Sequence, residues 1–302
     1  MAEESGQRAR LTPLLSNDVL DRLRRLRINP HRRLTNRSRG EHLTGRGGSS
    51  IEFSDYRDYV PGDDVRFVDW NIFARLNRPY LKLYEQEEEV HVVLLVDGSD
   101  SMLFEGKFLR ARQLAAAFGV LALLGTERLS AYSFNARDGT PERLPPCRGR
   151  ASMRKLFRFL EGLEGGGSEP VEEGVESFLR FHSGRGVAIL LSDFLTFGDV
   201  RRALNRVFSV GLEVFGVQIL SPAEIDPDVG GDVRLVDAET ESMRDVSSAG
   251  DLLDIYQEQR DAYEAYLAEL CRQRNGRFLS LSSRAPLEWL LFDLMVRRGW
   301  LV

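Results

Sequence analysis

An aspartate and two serines follow an unbroken apolar run near the middle of the chain. The run covers residues 92–96, and Asp97, Ser99 and Ser101 then alternate with other small or polar residues. This spacing allows three oxygen-bearing side chains to turn toward one point. Magnesium prefers hard oxygen ligands in octahedral geometry and usually retains some water. These three residues therefore predict part of a divalent-cation site, and its other ligands must come from elsewhere in the fold.

The apolar run has the composition of a strand that is buried on both faces of a parallel sheet. A helix is predicted soon after it, over residues 107–124. Open α/β sheets bind ligands at the carboxyl ends of their strands, which is where this loop would lie. The alternative is that Ser99 or Ser101 only caps the following helix.

A glycine-rich loop and a second strand end offer further ligands. Three glycines at 165–167 precede Ser168, and glycine permits close approach of the backbone to a ligand. The alternative for Ser168 is an ordinary helix cap. The apolar run at 186–191 is followed by Asp193, a second acid at the end of a buried strand. The predicted metal ligands are therefore Asp97, Ser99, Ser101, Ser168 and Asp193.

Strands and helices alternate from residue 90 onward. The predicted helices are 107–124, 151–163, 171–182, 198–209 and 250–274, and the predicted strands are 92–96, 129–134, 186–191, 212–219 and 277–281. This alternation predicts an α/β fold with a doubly wound, mostly parallel sheet. Two short alternating runs within 221–249 predict a hairpin insert, and the prolines at 141, 145 and 146 predict a surface loop.

We predict two parts, residues 1–89 and residues 90–302, with the α/β domain in the second. The first part would begin with a short amphipathic helix at 17–27 and continue as an Arg-rich loop at 29–50. The segment 51–75 mixes aromatic, acidic and arginine residues too densely for a free linker, and it predicts a hydrogen-bonded Arg–Asp network.

Composition is typical of a soluble globular protein, with 42% hydrophobic and 29% charged residues among 302. No apolar run is long enough for a membrane span. The N-terminus is acidic and unlike a signal peptide. Cys147 and Cys271, the two cysteines, show no metal-ligand spacing. This cysteine usage predicts a cytoplasmic location.

The arginines near the N-terminus allow a different function. Residues 1–48 contain eleven arginines, and several of them crowd together between Arg22 and Arg33. Such a surface can bind nucleic acid or an acidic partner. The alternative is a solvated helix face followed by a flexible arm. No aromatic residue is interleaved with these arginines, which disfavours single-strand binding.

The sequence Asp97-Gly98-Ser99-Asp100-Ser101 resembles the metal-ion-dependent adhesion site of von Willebrand factor A domains. That motif is D-x-S-x-S, completed by a threonine in a glycine-rich loop and by an aspartate at a later strand end. Ser168 matches the threonine position and keeps its hydroxyl, and Asp193 matches the later aspartate.

A second resemblance covers residues 15–300. The chain is similar to domain-of-unknown-function family 58, whose signature is matched by Phe53, Arg57, Tyr59, Pro61-Gly62-Asp63-Asp64, Arg66, Asp69-Trp70, Ala74-Arg75, Glu88, Ser192-Asp193-Phe194 and Pro222-Ala223-Glu224. The resemblance implies a von Willebrand A-like fold and a non-enzymatic, metal-dependent interaction or adaptor protein. It also implies a MoxR-type AAA+ ATPase or that ATPase's client as partner. The predicted cofactor is Mg²⁺, with Mn²⁺ as the alternative, because the candidate ligands are few, hard and hydroxyl-rich.

An enzyme is the remaining alternative, namely a metal-dependent hydrolase or phosphotransferase that uses Asp97. Aspartyl-phosphate hydrolases carry a second aspartate two residues later as acid–base, and this chain has Ser99 there. None of the four histidines lies in a recognisable catalytic motif. A Walker-type phosphate loop is also missing from the sequence, so ATP use would belong to a partner.

Overall fold

The computed structural model describes residues 10–30, 35–38, 51–87, 90–125, 127–135, 141–196, 198–227, 233–236, 243–246 and 249–302. The helices in these ranges are α1 (Asn17–Leu23), α2 (Trp70–Leu76), α3 (Lys107–Leu124), α4 (Met153–Gly162), α5 (Val171–Leu179), α6 (Val200–Ser209), α7 (Pro222–Ile225), α8 (Ala249–Arg272), α9 (Leu287–Trp289) and α10 (Met295–Arg297). The strands are β1 (Thr35–Ser38), β2 (Ile51–Asp58), β3 (Tyr80–Glu87), β4 (His91–Asp97), β5 (Arg128–Phe134), β6 (Glu142–Cys147), β7 (Gly186–Ser192), β8 (Leu212–Leu220), β9 (Val233–Val236), β10 (Met243–Val246) and β11 (Arg277–Ser282).

Six strands form the main sheet in the spatial order β11-β8-β7-β4-β5-β6. Neighbouring strands are parallel except for β6, which runs antiparallel to β5. The order reverses between β4 and β7, as in doubly wound folds that bind ligands at this switch point. The predicted α/β class with a doubly wound, mostly parallel sheet is confirmed.

Strand β4 is buried on both faces, which explains its unbroken apolar sequence. Val93 and Leu95 belong to a core cluster that also contains residues of the helices α5 and α6. On α3, a Cβ added at Gly119 would lie 3.3 Å from Leu94 and 2.4 Å from Leu156 of α4. Gly119 therefore permits close packing of α3, which begins and ends at the predicted residues 107 and 124.

The predicted surface loop around Pro141, Pro145 and Pro146 is wrong in part. Residues Glu142–Cys147 form the edge strand β6, in which Leu144 pairs with Ala131 of β5. Proline is tolerated at a sheet edge because its missing N–H need not serve a second neighbour. Prolines in a sequence usually indicate the end of a strand, which explains why a loop was predicted where β6 lies.

Helix α1 ends earlier than the predicted residue 27. The backbone N–H of Arg27 donates to the Val302 carbonyl at 2.7 Å, and that of Asn29 donates to the Trp300 carbonyl at 2.9 Å. The chain after α1 therefore pairs with the C-terminal residues and does not continue as a helix. Two compact units result, residues 1–31 with 91–302 and residues 32–90. Helix α1 thus belongs to the larger unit, whereas the sequence pattern groups it with residues 1–89.

The smaller unit contains a three-stranded antiparallel sheet in the order β1-β3-β2. Strand β1 lies within the predicted loop 29–50, because its backbone finds partners on β3; the predicted loop residues 31–34 and 39–50 lie outside the described ranges. The predicted Arg–Asp network is confirmed. Arg57 binds both carboxylate oxygens of Asp63, at 2.8 and 2.7 Å, and Arg66 binds Asp64.

The predicted hairpin insert is also confirmed. Strands β9 and β10 pair antiparallel within residues 221–249, with Val236 opposite Met243. No helix in the described part of the chain combines the length and apolar character that crossing a membrane would require.

Candidate metal centre

Backbone hydrogen bonds join the loop after β4 to the glycine-rich loop. The Gly166 N–H donates to the Gly98 carbonyl at 2.7 Å, and the Asp100 N–H donates to the Gly167 carbonyl at 2.9 Å. Ser99 and Gly167 also form an isolated parallel bridge. Ser168 is the next residue and is exposed, so the two loops bring it to the edge that carries the D-x-S-x-S residues.

The Asp97 carboxylate is buried and fully engaged. Its Oδ1 accepts hydrogen bonds from the Ser99 backbone N–H at 2.9 Å and from Asn135 Nδ2 at 3.1 Å. Its Oδ2 accepts a 2.6 Å hydrogen bond from Ser192 Oγ. Burial raises the pKa of Asp97 to about 6, and the nearby charge of Asp193 acts in the same direction. The Asp97 carboxylate therefore has limited freedom to move.

The two serines of the motif lie side by side. Ser99 Oγ and Ser101 Oγ are 3.1 Å apart, with Ser99 buried and Ser101 half-buried. Adjacent ligands of an octahedral Mg²⁺ ion, each at about 2.1 Å from the metal, lie about 3 Å apart. The separation of the two hydroxyl oxygens therefore fits two neighbouring coordination positions.

Asp193 lies at the end of the neighbouring strand β7 and is held from several sides. Its Oδ1 accepts the Leu195 N–H at 3.0 Å, and its backbone carbonyl accepts Gln218 Nε2 at 3.0 Å. Phe194 has a left-handed φ of 58°, which is unusual for a bulky side chain, and its carbonyl accepts the Tyr263 hydroxyl at 2.7 Å. Such backbone strain persists only where neighbouring contacts impose it. The turn therefore fixes Asp193 at the carboxyl edge.

Lys107 is a buried cation that the sequence interpretation missed. Its Nζ donates to Asp193 Oδ2 at 2.8 Å and to Glu224 Oε1 at 2.5 Å, and the side chain is 0% exposed. Glu224 also accepts the backbone N–H of Ser221 at 2.6 Å in a capping box that begins α7. A lysine at the start of a helix predicts a solvated side chain, so the sequence carries no local signal for this contact.

Asn135 is a second residue that was missed. It follows β5, has a left-handed φ of 59°, and is 5% exposed. Its Oδ1 finds no hydrogen-bond partner among the described residues, while its Nδ2 binds Asp97. Asparagine adopts the left-handed region more readily than most residues. An asparagine directly after a buried strand was the signal that could have identified it.

The donor set fits a hard cation that is held mainly by hydroxyl oxygens and water. Within the described ranges there is no cluster of three or more His, Cys, Asp or Glu side chains that could hold a metal ion. The hydroxyls of Ser99 and Ser101 and the unpartnered Asn135 Oδ1 are oxygens that a cation could bind directly. The carboxylates of Asp97 and Asp193 already accept protein hydrogen bonds and supply nearby negative charge. This chemistry suits Mg²⁺ or Mn²⁺ better than a metal that needs thiolate or imidazole ligands.

The topology defines the class of the protein, an α/β domain with a doubly wound, mostly parallel sheet, in a chain that also contains a smaller unit at residues 32–90. The chain belongs to the DUF58 family, described as proteins of unknown function, whose model matches residues 55–268.

The chain is also similar to individual proteins. An uncharacterised protein of Mycobacterium tuberculosis is 31% identical over 276 residues, which cover 89% of this chain and 85% of that protein. Among solved structures, the conserved hypothetical protein BatB of Bacteroides thetaiotaomicron is 15% identical, with a TM-score of 0.40 over 64% of this chain and 90% of that chain. An aerotolerance-related membrane protein of Bacteroides fragilis is 16% identical, with a TM-score of 0.41 over 64% of this chain and 91% of that chain. Neither structural similarity is high enough to transfer a function.

Proposed function

We propose that this protein is a non-enzymatic interaction protein whose sheet edge binds Mg²⁺ or Mn²⁺, with a carboxylate of a partner protein completing the coordination. The observation that carries the proposal is the 3.1 Å separation of Ser99 Oγ and Ser101 Oγ beside two buried aspartates. Ser99 and Ser101 would bind the metal directly. Ser168 would add a hydroxyl from the glycine-rich loop, and Asp97 and Asp193 would supply negative charge through water.

The ligand set leaves room for a partner group. Two or three hydroxyl ligands do not complete an octahedral shell, and magnesium readily keeps waters that another oxygen ligand can replace. Ser101 is only half-buried and Ser168 is exposed, so this side of the edge is accessible. A partner aspartate or glutamate would make a charge-assisted contact with the cation there. Such a contact orients the partner as well as binding it.

We further propose that the partner is a MoxR-type AAA+ ATPase or a client of that ATPase. Membership of the DUF58 family is the support for this choice, because the family resemblance implies that association. Such a partner would bind at the accessible edge that carries Ser101 and Ser168.

An aspartyl enzyme is disfavoured by the contacts of Asp97. Three donors, from Ser99, Asn135 and Ser192, already occupy its two oxygens, and the side chain is 4% exposed. A nucleophilic carboxylate needs at least one oxygen that a substrate can reach. The residue two positions later is Ser99, which cannot serve as the acid in that chemistry.

Nucleic-acid binding through the N-terminal arginines is disfavoured for a related reason. Arg22 lies over the Phe292 ring at 3.7 Å, Arg24 pairs with Asp21 at 3.3 Å, and Arg27 donates to two backbone carbonyls. These guanidinium groups are exposed but contact groups of the protein itself, which favours the alternative of a solvated helix face. Arg32 and Arg33 lie outside the described residues.

We place the protein in the cytoplasm on the basis of its cysteines. Cys147 and Cys271 are both free thiols, and Cys271 is buried. Free thiols are usual where the compartment is reducing.

The test is the affinity of the full chain for a MoxR-type ATPase from the same organism, measured in Mg²⁺ and again in EDTA. We expect binding in Mg²⁺ to fall by about tenfold or more in EDTA and in Ser99→Ala, because the partner carboxylate would then face Asp97 and Asp193 without a cation. Ser209→Ala is the control, since the exposed Ser209 bonds only within its own helix turn. The metal-dependent contact would be refuted if the wild type in Mg²⁺, the wild type in EDTA, Ser99→Ala and Ser209→Ala all bound the ATPase with equal affinity.

A further inference from the structure

The ammonium group of Lys107 lies in an unusual position for a cation. Lys107 is the first residue of α3, where the partial positive charge of a helix N-terminus disfavours positive side chains. It is nevertheless fully buried, and burial of a charge is unfavourable unless the charge is well paired. Asp193 and Glu224 provide that pairing, at 2.8 and 2.5 Å.

This pairing changes what Asp193 can offer to a cation. One of its oxygens binds Lys107 and the other binds the Leu195 N–H, so protein donors engage both. A divalent cation that draws on the charge of Asp193 must share it with the ammonium group. Glu224 also directs its negative charge toward Lys107, so its contribution to the edge is offset by the same group.

We propose that Lys107 is an internal counter-ion that lowers the affinity of this edge for divalent cations. Tight metal binding then requires the additional carboxylate of a partner. This inference rests on the proposed function. Lys107 lies outside the D-x-S-x-S motif, yet it would determine whether the site binds the metal without a partner.

The charges at the sheet edge determine how tightly it can bind a cation. Asp97 and Asp193 are buried carboxylates at the ends of neighbouring strands, close enough for their charges to interact, and Lys107 offsets the second of them. The oxygens of Asp97 are shared among three hydrogen-bond donors, which spread its charge. A site with so little uncompensated negative charge binds Mg²⁺ weakly by itself. A partner carboxylate adds the missing charge, and the cation and the partner then bind together.

The experiment is a calorimetric titration of the full chain with Mn²⁺. We expect Lys107→Met to bind Mn²⁺ about tenfold more tightly than the wild type, because the methionine keeps the volume and removes the opposing charge. Glu224→Gln should bind more weakly than the wild type, since Lys107 would then hold Asp193 alone. Lys155→Met, which removes an exposed lysine on α4, is the matched control and should leave the affinity unchanged.

Two further variants keep the test decisive. Lys107→Met combined with Glu224→Gln removes both the ammonium group and the Glu224 carboxylate that it pairs with, so no charged group at position 224 is left unpaired. This double variant replaces the single variant if Lys107→Met does not fold, and it should still bind Mn²⁺ more tightly than the wild type. Adding Lys107→Met to an Asp193→Asn background should give little gain, since the carboxylate that Lys107 masks is then gone.

The outcomes separate the two proposals. Equal Mn²⁺ affinity in the wild type, Lys107→Met and the double variant overturns the role of Lys107 and leaves the metal site standing. Failure of every variant and of the wild type to bind Mn²⁺ overturns the proposed metal site, and the counter-ion role with it.

Discussion

Ser192 donates a 2.6 Å hydrogen bond to Asp97 although the two residues are 95 positions apart in the chain. They end the adjacent parallel strands β7 and β4, so the bond spans the point at which the strand order reverses. The same hydroxyl accepts the Phe194 N–H at 2.9 Å. One serine therefore orients Asp97 and helps to hold the strained turn that follows Asp193.

Replacing Ser192 with alanine should destabilise the protein. Asp97 Oδ2 and the Phe194 N–H would each lose a buried partner, which should cost about 2 kcal/mol in the free energy of unfolding. Urea unfolding followed by circular dichroism measures this value. Ser209→Ala removes an exposed hydroxyl and should change stability by less than about 0.5 kcal/mol. Equal stability of the two variants would contradict the role given to Ser192.

Replacing Gly167 with alanine should separate the two loops of the candidate metal centre. An added Cβ would lie 2.7 Å from the carbonyl carbon and oxygen of Asn135, which are backbone atoms that cannot turn aside. We expect a loss of about 1–3 kcal/mol in unfolding free energy, together with weaker Mn²⁺ binding. Gly162→Ala, at the end of α4, is the control because no atom lies within 4 Å of its added Cβ. Its stability should stay the same or rise by up to about 1 kcal/mol.

Two buried groups titrate in the same pH range with opposite effects on stability. Burial lowers the pKa of His91 from 6.5 to about 4, with the nearby charge of His182 acting in the same direction. The unfolded chain therefore takes up this proton first, and stability is lost as pH falls from about 6.5 to about 4. Burial raises the pKa of Asp97 from 3.8 to about 6, so the folded state takes up that proton first. The contribution of Asp97 to the free energy of unfolding therefore increases as pH falls through about 6.

Asp97→Asn should therefore reveal the histidine contribution. In the wild type, the gain from Asp97 offsets part of the loss from His91 between about pH 6.5 and about pH 4. Without the Asp97 carboxyl group, stability should fall more steeply over this range. Urea unfolding at several pH values measures the two slopes. Parallel slopes in the variant and the wild type would show that the pKa of Asp97 is not raised by folding.

Much of the fold was predictable because the burial of a strand or helix determines where apolar residues occur in its sequence. Strand β4 is apolar throughout because both of its faces are covered, and α3 begins and ends at the predicted residues. Strand β6 has no such apolar pattern, since Leu144 is its one buried residue and two of its residues are proline. Strand β1 was missed because its pairing with β3 depends on residues about fifty positions away.

The candidate metal centre was predictable where its residues are close in sequence. Asp97, Ser99 and Ser101 share one loop, so their spacing carries the signal. The contacts of Lys107 carry none, because its partners Asp193 and Glu224 lie 86 and 117 positions later. Only the fold brings these three charges together.

The prolines of β6 also bear on how the protein can associate with others. A strand from another chain extends a sheet by pairing with free N–H and C=O groups along an exposed edge. Pro145 and Pro146 supply no N–H groups, and irregular pairing interrupts β6 against β5. Natural sheets use such features to resist edge-to-edge aggregation. A strand from another chain that paired with this edge would therefore find no N–H donor at Pro145 or Pro146.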